Sequence, residues 1–176
     1  MIVIPLSGKN AAGRVAIVDG QFADEVLKYR WQCVRGYARR SVYCGKQDGR
    51  PKTRRIRMHR EVLRLAGVQI PGGYQTDHIN GNKLDNRLSN LRVVTHQQNM
   101  HNRKPQGGGS RYKGVYWDKS AGKWRAQIWH NGKRIHLGLF IDEIEAAKAY
   151  DVAARRLFGE YARCNFPIEK EMMNAR

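Results

Sequence analysis

The tract "RKPQGGGS", from Arg103 to Ser110, does most to limit what this chain can fold into. Pro105 cannot continue a helix, because it lacks a backbone donor and its ring clashes with the preceding turn. Three glycines follow and leave the backbone unrestrained. The tract reads as a linker that divides the 176 residues into two parts. Neither part can bury more than a small core, so small units are expected rather than one large domain. The expected division is an N-terminal part over 1–102, a linker over 103–110, a second unit over 111–167 and a tail over 168–176.

Charge says what these parts meet. There are 33 Lys and Arg against 15 Asp and Glu, a formal net charge of +18. Such an excess repels itself in a compact chain unless a polyanion is near. Nucleic acid is the natural partner. No basic helix with a separate apolar face stands out, and no apolar run is long enough to cross a bilayer, so no membrane role is expected. Cys33, Cys44 and Cys164 are odd in number, widely spaced and without a C-x-x-C pair. That argues against a zinc ribbon or a disulfide framework and suits a reducing cytoplasm. The apolar run in "MIVIPLSGKNAAGR" is too short for a signal peptide.

Residues 1 to 73 alternate short β-like runs with turns, a small β-rich segment. "RVAIVD", "GYARRSVYC" and "TRRIRM" read as strands. "FADEVLKYRW", with Phe22, Val26 and Tyr29 at helical spacing, reads as a short helix. "MHREVLRLAG" reads as another, closed by Gly67. Arg30, Arg35, Arg39, Arg40, Arg54, Arg55 and Arg57 are expected to add contacts to a phosphate backbone.

Beyond the linker, "YKGVYWD", "GKWRAQIWH" and "KRIHLGLF" read as three strands, with Gly122 and Asn131-Gly132 at the turns. A helix follows from Asp142, which can cap it with Glu145 completing a capping box. Ala146, Ala147, Tyr150, Ala153, Ala154, Leu157 and Phe158 form its apolar stripe, and Gly159 ends it. The predicted unit is a three-stranded antiparallel sheet packed on one helix. Alternation puts Trp124, Ala126 and Ile128 on one face and Arg125, Gln127 and Trp129 on the other. Arg134 and His136 join the second set if Ile135 and Leu137 face the helix. An exposed Trp among Arg, Gln and His suits base edges in a major groove more than bare solvent.

Over Arg111 to Pro167 the sequence resembles the AP2/ERF DNA-binding family, on "YKGVYW", "GKWRAQIW", "HLGLF" and "EAAKAYDVAARRLFGEYARCNFP". The resemblance implies a sheet that enters the major groove with a helix behind it. Matching contact positions are Lys113, Tyr116, Gln127, Trp129, Arg134 and His136. Tyr116 and Trp129 stand where plant members carry arginine, and His136 where they carry tryptophan, so the plant target site does not transfer.

The stretch "YQTDHINGNKLDNRLSNLRVVTHQQNMHN", Tyr74 to Asn102, reads as strand, turn-rich loop, strand and helix, a ββα arrangement. Asp77 and His78 are adjacent on a strand, so one can face a metal and the other the substrate. The Asn99 amide, on the helix, can reach the same ion. Oxygen donors of this kind suit Mg2+ or Mn2+. A neutral His78 can take a proton from water, and Asn90 can hold the imidazole in one orientation. Arg87 and Arg92 can bind the DNA backbone or brace the fold. At these residues the chain resembles the HNH endonuclease family, with the preceding "MHREVL" of the phage type. The resemblance implies a ββα-metal fold with His78 as general base, Asn90 as the residue that orients the loop, and Asp77 and Asn99 as ligands of one Mg2+ (or Mn2+). His59 is expected to pack behind the site, and the roles of His96 and His101 stay open.

Together the two parts form an α+β chain that resembles phage and bacterial HNH homing endonucleases. The expected activity is site-specific hydrolysis, as a nick, of double-stranded DNA by a cytoplasmic monomer. The alternative is a non-catalytic DNA-binding regulator with a decayed nuclease domain.

Overall fold

The computed structural model describes residues 1–102 and 109–166. Most of the proline-glycine tract, Pro167 and the expected tail lie outside the described residues. The chain forms two compact units, Met1–His96 and Gln97–Arg176.

In the first unit β1 (Ile2–Pro5) pairs antiparallel with β2 (Val15–Val18). A 3₁₀ turn and the short α1 (Ala23–Leu27) follow. Then β3 (Gln32–Val34), β4 (Tyr37–Gln47) and β5 (Arg50–Arg57) form an antiparallel sheet in that order. The α2 helix (Met58–Leu65) leads to the hairpin of β6 (Gln75–His78) and β7 (Leu91–Val94). The core gathers Ile4, Val18, Val26, Trp31, Met58 and Val62. The predicted helix over Phe22–Trp31 stops early. Trp31 leaves it to be buried, and its indole N–H donates to the Val26 carbonyl at 2.8 Å. Burying that ring with its donor satisfied outweighs continuing a helix whose next residues gain little. The short β1 and β3 were not among the predicted strands; each is defined by its partner more than by its own pattern.

The α3 helix (His96–His101) opens at the last residue of the first unit and continues into the second. In the second unit β8 (Val115–Asp118), β9 (Lys123–His130) and β10 (Lys133–Phe140) form the predicted antiparallel sheet. Asn131 and Gly132 turn between β9 and β10 with φ of 49° and 73°, as a two-residue hairpin requires. The α4 helix (Glu143–Phe158) covers one face. Ala126 meets Ala146 and Ala147 in one buried cluster, and Ile128 meets Tyr150, Ala154 and Phe158 in another. These alanines let helix and sheet approach closely. Asp151, buried on α4, accepts from the backbone N–H of Asn165 (2.7 Å) and Phe166 (2.8 Å) and so fixes the returning chain.

Asp142 caps α4, accepting from the N–H groups of Ile144 (2.7 Å) and Glu145 (2.9 Å). Glu145 pairs with Lys148 at 2.8 Å in place of the reciprocal half of the capping box. Asp142→Ala is therefore expected to cost about 1 kcal/mol, read as a lower thermal midpoint of the unit that holds α4.

Candidate functional site

The loop between β6 and β7 is built from amides. Asn80 Oδ1 accepts from the Asn82 N–H at 2.8 Å, and Asn82 Oδ1 from the Leu84 N–H at 3.1 Å. Asn90 Oδ1 accepts from the Asn80 N–H (2.9 Å) while its Nδ2 donates to the Asp85 carbonyl (2.8 Å). Asp85, 2% exposed, takes Asn80 Nδ2 at 3.0 Å and both Nε and Nη2 of Arg87, at 2.8 and 2.7 Å. The Arg87 hydrogen bond holds the Asp85 carboxyl below its usual range. The loop is also stitched to the N-terminal hairpin. Ile17 N–H donates to Leu84 carbonyl, Asn86 N–H to Ile17 carbonyl, and Leu88 N–H to the Asp19 carboxylate, each at 2.8 Å.

Within this frame His78 is buried. Its Nε2 lies 3.4 Å from Asn86 Oδ1. Asn86 is 1% exposed, and its Nδ2 donates to the Leu84 carbonyl at 3.0 Å. That bond turns the amide oxygen toward the ring, where it can accept from Nε2 of a neutral imidazole. Burial shifts the imidazole below its ordinary pKa and favours the neutral form. The ring stands edge-on to His59 at 5.0 Å, and Tyr37 lies 5.5 Å from His59 and 6.1 Å from His78. Burial, with His78, Arg57 and Arg60 alongside, lowers His59 to about 3. A neutral His59 packing behind His78 matches the structural role expected of it.

Asp77 sits opposite Arg92 across the β6–β7 ladder. Arg92 Nε and Nη2 both donate to Oδ2 of Asp77, at 3.0 and 2.9 Å. Arg92 is thus joined to Asp77 across the two strands, and Arg87 to Asp85 within the loop. Asn99 lies on α3, in the second unit, whereas Asp77, His78 and Asn90 lie in the first. A carboxylate and an amide oxygen are hard donors that suit a divalent cation retaining water. Among the described residues no three His, Cys, Asp or Glu side chains are grouped to hold a metal ion.

In the second unit the sheet face away from α4 carries most of the expected contact residues. Register places Tyr116 beside Arg125, Gln127 beside His136, and Trp129 beside Arg134. Trp129 is 59% and Tyr116 37% exposed. The ladder shifts between His136 and Gly138, so beyond the bulge Leu139 pairs with Arg125. Arg125 pairs with the Asp118 carboxylate, which is lowered to about 2 chiefly by the Ser120 hydroxyl. Lys113 is placed differently. It precedes β8, and its ammonium donates to the His101 carbonyl. Burial lowers it to about 8. His101 stacks on Phe158, ring centroids 3.7 Å apart, while His96 Nδ1 meets Gln75 Nε2 at 3.2 Å.

A family model described as HNH endonuclease matches residues 57–101. An uncharacterized HNH endonuclease of Acanthamoeba polyphaga mimivirus is 34% identical over 141 residues, which cover 80% of this chain and 68% of that protein. The chain belongs to the HNH endonuclease family. Protein 3.8 of Escherichia phage T7 is also similar, 36% identical over 108 residues, 61% of this chain and 88% of the phage protein. An AP2 domain matches residues 110–160 of the HNH chain. An AP2/ERF and B3 domain-containing protein of Oryza sativa subsp. japonica is 53% identical over 58 residues, 33% of this chain but 16% of the plant protein.

In this HNH fold the middle asparagine, Asn90, clamps the loop backbone, and the amide facing His78 is Asn86. Sequence reasoning missed Asn86 because it sits among many loop amides; only its burial sets it apart. Asn86→Ala would strand a buried donor and is expected to cost about 1–3 kcal/mol, measured by denaturant unfolding. A parallel fall in cleavage rate would accompany it.

Proposed function

We propose that this HNH protein hydrolyses phosphodiester bonds of double-stranded DNA at chosen sites, nicking one strand per encounter. The observation that carries the reading is a buried His78 held against Asn86 Oδ1, an imidazole that burial keeps toward the neutral form and so able to take a proton from water. Asp77 and Asn99 would hold one Mg2+ (or Mn2+). When bound, such an ion polarises the scissile phosphate and stabilises the leaving oxygen. Arg92 holds the Asp77 carboxylate in one orientation through two hydrogen bonds. Asn90 and Asp85 hold the loop so that the imidazole does not turn, and Arg87 can offer its outer edge to a phosphate.

A single small site reads phosphate and gives little specificity by itself. Tyr116, Arg125, Gln127, Trp129, Arg134 and His136 would supply it by reading the major groove, where Arg and Gln match guanine and adenine edges. Lys113 is the weakest of the expected contacts, since its ammonium is bonded to His101. The chain would act as a monomer on intracellular DNA.

Supercoiled plasmid with Mg2+ tests the reading. Conversion to the open circle, abolished by EDTA, is the expected result. Tight binding with no cutting under any divalent metal would leave a DNA-binding regulator instead.

A further inference from the structure

The β4–β5 ribbon reaches well beyond the core of the first unit. From Tyr43 to Arg55 every residue except Gly45 is exposed. A two-stranded ribbon that buries so little is marginal in water. Its charge is one-sided: Lys46, Arg50, Lys52, Arg54 and Arg55 against Asp48. Register adds to the repulsion, since Arg39 stands directly opposite Arg57. Like charges in such a cross-strand pair are destabilising unless an anion lies against them.

The base of the ribbon and α2 line a groove of about 890 Å³. Arg39, Arg54, Arg55, Arg57 and Arg60 border it. The one acid among its described lining residues, Glu61, already accepts from Arg40 and Arg64, each at 3.2 Å. Arg40 is sequestered there, with its guanidinium 3.7 Å from the Tyr29 ring, so it is not a backbone contact as expected from sequence. Arg57 lies 5.0 Å from the Tyr37 ring, whose centroid is 6.1 Å from that of His78. The basic track therefore ends one aromatic ring away from the imidazole.

We propose that this ribbon and groove grip the phosphate backbone of duplex DNA and lead it to His78, as a binding surface separate from the outer sheet face. The inference rests on the DNA-cleaving reading for its choice of polyanion. Guanidinium forks spread along two strands and a helix suit successive phosphates, which carry no sequence information.

The test uses the full chain as Arg50→Gln/Arg54→Gln/Arg55→Gln, in a His78→Ala background to prevent cutting. These side chains are exposed, and an unchanged thermal midpoint verifies folding. Binding to two unrelated duplexes is titrated over a range of salt. The expected result is a roughly tenfold or greater loss of affinity for both, with the slope of log K against log salt reduced by about 2 to 3. Unchanged affinity and slope would overturn the grip, and so would a loss confined to one duplex, which would mean base reading. Nicking by the chain with His78 intact is scored separately. If that chain never nicks yet the triple variant still binds both duplexes more weakly, the grip stands and the nuclease reading falls.

Discussion

His78→Ala lowers the rate of plasmid nicking by about 10²–10⁴-fold, the range that a positioned general base contributes. DNA binding stays within about twofold, because the imidazole is buried and its pKa is lowered by that burial, so it adds little cationic contact. The fold should survive. Removing the ring deletes edge contacts with His59 and Tyr37 but leaves the Asn80, Asn82, Asp85 and Asn90 bonds that close the loop. Single-turnover nicking at saturating protein separates chemistry from affinity. A rate unchanged by the substitution would remove His78 from the reaction and with it the proposed mechanism. Asn86→Ala should lie between this variant and the unsubstituted chain, since it loosens the ring without deleting it.

Gly114→Ala has the largest expected effect on folding. Gly114 sits at φ +76°, a region that L side chains with a Cβ occupy at a cost of about 1–2 kcal/mol. A Cβ there would run into the Tyr150 ring and come within 2.7 Å of the Gln127 carbonyl oxygen. Neither can yield easily. Tyr150 is 3% exposed in the cluster with Ile128 and Phe158, and Gln127 N–H donates to the Gly114 carbonyl at 2.9 Å. Overpacking of this kind adds about 1–3 kcal/mol. The sum, about 2–5 kcal/mol, is comparable to the whole stability of so small a unit. Unfolding followed by circular dichroism should show the unit holding β8–β10 and α4 melting far earlier or already unfolded. Discrimination between duplexes should then vanish, while any nicking that persists loses its site preference. Retained discrimination at normal stability would show that the glycine is not required.

Much of the local structure was legible because it is governed by local rules. Asn131-Gly132 specified its turn through the positive φ that both residues accept, and alternation along β9 separated Ala126 and Ile128 from Gln127 and Trp129. The alanine stripe of α4 announced a close helix–sheet contact. The bulge at His136–Gly138 was not legible, since a register shift is settled by Phe140 and Leu137 finding the core. Lys113 read as a cation for DNA, yet a neighbouring carbonyl and burial claim its ammonium.

The HNH site shows the same division. Spacing, with the resemblance to the HNH family, put forward Asp77, His78, Asn90 and Asn99, because a strand, a loop and a strand limit which residue types can serve at which offset. Sequence by itself also determined the α+β class and the need for a polyanion, through periodicity and a charge of +18. Only the tertiary structure decided that Asn86 rather than Asn90 faces His78, that Arg92 belongs to Asp77, and that Ile17 and Asp19 stitch the loop in place. Those are contacts between residues far apart in the chain or among chemically equivalent amides. Their choice rests on burial and on satisfying each backbone donor, quantities that no linear pattern encodes.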